Sequence, residues 1–110
     1  MGLYKKSTAI KTSEAEVLKA CKQYLLLRGH KVWRQNTGQL TQDGRHIRFG
    51  IPGLADIGGS TNTGRALQVE CKSGAGKLSA AQMNFRDWFV ESGGLYVLAR
   101  SVKDLQEAGL

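Results

Sequence analysis

The chain has 110 residues, enough for one modest hydrophobic core and not for two. Hydrophobic residues make up 41% and charged residues 23%, which excludes wholesale disorder, and no apolar run is long enough to span a bilayer. Sixteen Lys and Arg against nine Asp and Glu leave a net charge of +7, favouring a polyanionic partner, most commonly nucleic acid.

Residues 1–11 read as a short basic arm, with no apolar segment of the kind that makes a secretory signal, so a cytoplasmic setting is expected. Ser13 followed by Glu16 is a capping box that opens a helix reaching Leu27, with Val17, Leu18, Cys21, Tyr24 and Leu25 as its buried stripe. Gly29 stops it. Residues 31–36 read as a strand containing Val32 and Trp33. Asp43-Gly44 is a hairpin-turn signal between arms at 39–41 and 45–49. A glycine-rich turn, Gly50-Ile51-Pro52-Gly53, leads to a short strand over 54–58. In residues 66–72, Leu67, Val69 and Cys71 alternate with Gln68, Glu70 and Lys72, so the two sets leave opposite faces of a strand. Ser79 caps a helix over 80–91, with Phe85, Trp88 and Phe89 on its buried side. Residues 95–99 are wholly apolar and read as a central strand, and a short helix over 102–108 closes the order. The expected class is α/β or α+β, a mixed central sheet flanked by helices. Two cysteines, Cys21 and Cys71, are too few for a disulfide scaffold, and both fall on apolar faces as small hydrophobes.

The chemistry concentrates at Asp56, Glu70 and Lys72. Glu70 and Lys72 leave one face of their strand, and a neighbouring Asp56 strand would bring two carboxylates and an ammonium together. Carboxylate oxygens suit Mg²⁺ or Mn²⁺, which polarise a phosphodiester and activate water, while a lysine can orient that water or neutralise developing charge. By spacing alone, however, Glu-x-Lys on a strand is as readily a solvated ion pair, and Asp56 a turn acceptor. The strand's expected central position is what argues for a site.

The stretch Gly50-Ile51-Pro52-Gly53-Leu54-Ala55-Asp56-Ile57-Gly58, then Val69-Glu70-Cys71-Lys72, then Gly76-Lys77-Leu78-Ser79-Ala80-Ala81-Gln82 resembles the virus-type replication-repair nuclease (VRR-NUC) domain of the PD-(D/E)xK superfamily. Arg34-Gln35-Asn36-Thr37-Gly38 joins the resemblance, which spans about residues 13–102. It implies a restriction-endonuclease-like αβββαβ core. It also implies that Asp56 and Glu70 are metal ligands, that the Cys71 backbone carbonyl is a further one, that Lys72 is catalytic and that Gln82 lines the site. The pattern includes a glutamate on the first helix. Glu16 is explained by the capping box, whereas Glu14 shares the stripe of Leu18 and Cys21, where an unpaired carboxylate would be costly, so Glu14 is the choice, bound directly or through water. The superfamily's proline immediately before the aspartate is missing; Pro52 lies four residues upstream.

The resemblance leads to an expectation of a DNA endonuclease with Mg²⁺ or Mn²⁺ as cofactor, acting on branched DNA in the manner of a Holliday-junction resolvase. A homodimer of phage or bacterial type is expected, with no membrane partner. The alternatives are a nicking or restriction-like endonuclease acting as a monomer, or a non-catalytic DNA-binding module. Arg34, Arg45, Arg48 and Lys77 are candidates for phosphate contacts. His30 and His46 lack zinc-site spacing and are expected at the surface, and Trp33, Trp88 and Phe85 are expected in the core in preference to serving as base-stacking platforms. The last helix and the hairpin are candidate dimer surfaces.

Overall fold

Ser13 starts the first helix as its capping box predicts, with its hydroxyl accepting from the Glu16 N–H at 3.1 Å and the Glu16 carboxylate accepting from the Ser13 N–H at 2.9 Å. This helix, α1 (Glu14–Leu27), belongs to a computed structural model that describes residues 12–35 and 38–110. The expected basic arm lies outside the described residues, as do Asn36 and Thr37. After α1 come β1 (Lys31–Arg34), β2 (Gly38–Gln42), β3 (Arg45–Phe49), β4 (Ile57–Ser60), β5 (Ala66–Cys71), α2 (Ala80–Glu91), β6 (Leu95–Ala99) and α3 (Val102–Glu107).

The main sheet has the order β1-β4-β5-β6, with β1–β4 and β4–β5 antiparallel and β5–β6 parallel. Set apart from it, β2 and β3 form a hairpin across Asp43 and Gly44, whose φ values of 53° and 73° are those of the turn the dipeptide predicts. Without that hairpin the order is αβββαβ, as expected. β6 is at the edge of the sheet, where a central strand was expected. Its all-apolar sequence answers to layers and not to neighbours: α2 packs on it as well as α3.

One face of the sheet carries the core. Val32, Ile57, Leu67, Val69, Cys71, Val97 and Ala99 pack with Val17, Cys21 and Leu25 of α1 and Leu105 of α3. Leu105 is fully buried, so the main apolar residue of the last helix serves this core and does not offer a dimer surface. Hydrogen bonding to Cys21, together with burial, pushes the Cys71 thiol up, so it stays protonated and serves packing.

The opposite face is thinner. α2 covers it over β6, where Phe85 reaches Tyr96 with ring centroids 6.3 Å apart, and reaches β5 through the Gln82 side chain, which bonds Glu70. Over β4 the face presents Gly58, whose missing side chain leaves space that the Gln35 amide fills. Gly59 lets β1 approach, since a Cβ there would overlap the Lys31 carbonyl.

Three sequence expectations fail in ways this layering explains. Trp33 is 57% exposed because it points over the half of the sheet that no helix covers among the described residues. Trp88 is 61% exposed on the outer flank of α2, leaving Phe85 as that helix's only fully buried side chain among the described residues. His30, expected at the surface, is buried at 5% exposure. The turn after α1 folds it inward, and its Nδ1 accepts the Asn62 N–H at 2.9 Å. The side chain of His46 lies outside what is described.

Candidate active site

β4 begins at Ile57, three residues later than the sequence suggests, so Asp56 sits in the bend that feeds it. One step beyond the Ile57–Val69 pair of the register, Asp56 meets the end of β5, where its Oδ2 accepts the Cys71 N–H at 2.8 Å. That bond anchors the carboxylate against the strand carrying Glu70 and Lys72. In an extended strand a residue's N–H and C=O leave the same edge, so the Cys71 carbonyl also faces the Asp56 side.

Glu70 is 3% exposed on an interior strand. Its Oε2 accepts from the Gln82 side-chain amide at 3.1 Å and lies 3.5 Å from Lys72 Nζ. Its Oε1 is buried and, among the described residues, has no hydrogen-bond partner. Burial, followed by repulsion from Asp56, pushes the Glu70 carboxyl up to about 7, and Lys72 offsets only part of this. A deeply placed carboxylate with an idle oxygen next to a second carboxylate is electrostatically incomplete.

Gln82 has its orientation fixed by a second capping box. As the third residue of α2, its Oε1 accepts the Ser79 N–H at 2.8 Å, while the Ser79 hydroxyl accepts the Gln82 N–H. With the oxygen engaged, the amide nitrogen is left to donate to Glu70. The turn before Asp56 also docks on this helix: Gly53, at φ 77°, leaves room for the Ala81 carbonyl where a Cβ would overlap it.

Glu14 is also present, but its setting differs from the expected one. It lies 3.9 Å from Lys72 Nζ with its side chain 55% exposed. As the first residue of α1 its side chain is more than half exposed, so cost of burial does not govern it. The phosphate candidates are more dispersed. Arg34 alternates with Trp33 and so faces α1, lining a groove with Leu18, Lys19, Lys22 and Gln23, on the side of the sheet away from the carboxylates. Arg45 opens the hairpin's second strand and Lys77 lies in the loop before α2; both are exposed. The side chain of Arg48 lies outside the described residues.

Three residues to which the sequence reading assigns no role join the site, although Gln35 lies in the Arg34–Gly38 stretch of the resemblance. The Gln35 amide donates to the Ala55 carbonyl at 3.0 Å and to Gln68 Oε1 at 2.7 Å, bracing the bend before Asp56. Gln68 is already on the face of Glu70 by alternation, and the structure gives it a partner there. Tyr96 lies beside Gln68 in the parallel register, with its hydroxyl buried and unbonded among the described residues. Burial, and then the charge of Glu70, push its phenol up, so it remains a neutral group beside the carboxylates.

Two carboxylates and a backbone carbonyl at a strand edge suit a small hard cation that keeps several waters. Among the described residues no three His, Cys, Asp or Glu side chains form a fuller cage, so any cation here would leave positions for water and phosphate. The idle, buried Oε1 of Glu70 fits that role.

The family model of the VRR-NUC domain matches residues 4–103. No curated protein and no solved structure matches the chain. The match covers nearly the whole length, and the chain belongs to the VRR-NUC family, nucleases of the PD-(D/E)xK type that act on DNA.

Proposed function

We propose that the chain is a metal-dependent endonuclease that hydrolyses phosphodiester bonds in branched DNA as a homodimer. The observation that carries the metal-dependent chemistry is the convergence of Asp56, Glu70 and Lys72 on one sheet face, with Glu70 buried and one of its oxygens unpaired among the described residues. Asp56, Glu70 and the Cys71 carbonyl would hold Mg²⁺ or Mn²⁺, which when bound polarises the phosphodiester and activates water.

The remaining work falls to the protein's own residues. Gln82 holds Glu70 in place through one amide hydrogen bond, and its capping box keeps it from turning away. The Lys72 ammonium, tethered 3.5 Å from Glu70 and 3.9 Å from Glu14, is placed to orient the attacking water and to balance charge on the phosphate as the bond order shifts. Hydrolysis joins the water oxygen to phosphorus and breaks one P–O ester bond. The products are a phosphate monoester and a sugar hydroxyl. Asp56 is held by the Cys71 N–H and Glu70 by Gln82, so the carboxylates need little rearrangement.

The branched substrate and the dimer rest on the small size of the domain: a lone copy has little surface beyond its site, and a two-fold pair sets two sites in a fixed relation. The half-exposed Glu14 side chain, 3.9 Å from Lys72, marks the side from which the substrate would approach. The test incubates purified protein with four-way-junction, flap, duplex and single-stranded DNA, with Mg²⁺ or Mn²⁺ and with EDTA. Cutting of the branched substrates in metal alone is the expected result. Equal cutting in EDTA would overturn the metal assignment, and a preference for plain duplex would overturn the branched one. Sedimentation at working concentration tests the dimer, and a strict monomer would refute it.

A further inference from the structure

A groove of about 340 Å³ runs along the outer flank of the site, lined by Ile51, Pro52, Ala81, Asn84, Phe85 and Trp88. Its volume lies in the range of small-ligand sites, roughly 300–1,000 Å³. One wall is a single stripe of α2, since residues 81, 84, 85 and 88 follow the i, i+3, i+4, i+7 spacing of a helix face. The other wall is the turn that leads to Asp56. Both walls run directly into the site: Gln82, which holds Glu70, follows Ala81, and Gly53, which docks against Ala81, follows Pro52.

The groove contains an aromatic pair and one amide. Trp88 and Phe85 have ring centroids 5.7 Å apart, tilted by 53°, and Trp88 remains 61% exposed. Asn84, exposed along the groove, supplies both a donor and an acceptor. An open indole face with an adjacent amide is the surface that an unpaired base stacks on and hydrogen-bonds to. A base inside a duplex already has both faces covered, so only an unpaired one can use it. Trp88 stands six residues beyond Gln82, about 9 Å along the helix, which is within reach of a nucleotide flanking the cut. A second copy of the chain is the poorer occupant. Six lining residues fall far short of the 800 Å² or so per partner of a stable interface, and a copy seated there would obstruct the approach to Glu70.

We infer that this groove binds an unpaired nucleobase next to the scissile phosphate, with Trp88 as the stacking platform and Asn84 as the edge contact. The inference rests on the nuclease reading and deepens it: the substrate carries an unpaired base beside the cut.

The test measures binding of a labelled flap DNA by anisotropy in EDTA, using the parent and Trp88→Ala. The probes are the intact flap and a set with one abasic residue placed at successive positions beside the cut. Stacking predicts that one abasic position weakens the parent by about 5–150-fold, that Trp88→Ala weakens the intact flap by a similar factor, and that the two losses do not multiply. Trp88→Phe should recover most of the affinity, and circular dichroism of each variant establishes its fold. Parent-like binding by Trp88→Ala, or losses that multiply, would overturn the groove assignment while metal-dependent cutting by the parent leaves the nuclease reading standing. A parent that neither cuts nor binds DNA removes both. Conversion of a dimer to a monomer by Trp88→Ala in sedimentation would assign the groove to a second copy and overturn the proposal.

Discussion

Replacing Glu70 by Gln should make the protein more stable at pH 8 in the absence of metal and abolish cleavage in its presence. The Glu70 side chain is 4% exposed, and burial and the nearby Asp56 raise its carboxyl from 4.5 to about 7. A folded-state value above the unfolded one means that its contribution to stability is complete below about pH 4.5 and is lost as the pH rises through about 7. By pH 8 the ionised group costs about 3 kcal/mol, and roughly 2–3 kcal/mol of that loss falls between pH 5 and pH 8. Glutamine removes the charge and keeps an oxygen to accept from Gln82, and its new amide donor can face Asp56. Urea unfolding of both proteins in EDTA should therefore show little difference at pH 5 and a clear advantage for Glu70→Gln at pH 8. In a thermal scan the same difference is about 10 °C or more for a domain of this size. Millimolar Mn²⁺ should restore the parent at pH 8 and leave the variant unmoved. An advantage that is the same at both pH values would refute the reasoning, because neither burial nor Asp56 would then be governing Glu70.

Three further outcomes follow from particular contacts. Lys72→Ala should lower single-turnover cleavage by about 10²–10⁴-fold while DNA binding in EDTA is largely kept; a parent-like rate would remove Lys72 from the chemistry. Gly59→Ala places a Cβ against the Lys31 carbonyl at a φ of 154°, so it should cost at least about 1–3 kcal/mol in urea unfolding by forcing β1 away from β4, and an unchanged midpoint would contradict that close approach. His30→Ala leaves the Asn62 N–H without its acceptor and should cost about 1–3 kcal/mol, measured the same way, whereas a neutral result would mean that water replaces the ring.

Much of the fold could be read from the sequence because it is written in short-range signals. The Ser13–Glu16 capping box, the Asp43-Gly44 turn and the alternation through β5 each depend on residues within a few positions of one another. The errors are about layers. Whether 95–99 lies at the centre or edge of the sheet depends on what packs on its two faces, and helices there produce the same apolar run as strands would. Trp33 and Trp88 were expected in the core by residue type, but burial is decided by whether anything covers them. The same limit applies to the site. Glu70 and Lys72 share a face by alternation alone, but Gln35 and Tyr96 reach that face through a register between strands that no local pattern encodes.

The local charge at the site runs against the charge of the whole chain. A net charge of +7 draws a polyanion to the surface, but at the proposed cutting point two carboxylates face one nearby lysine. Lys72 offsets only part of the repulsion and burial acting on Glu70, since that carboxyl still rises to about 7. A phosphodiester arriving there adds a further negative charge to a region with little water to screen it. Protonating Glu70 relieves the repulsion but removes a ligand. A divalent cation relieves it and keeps both carboxylates ionised, which is why the proposed mechanism calls for metal.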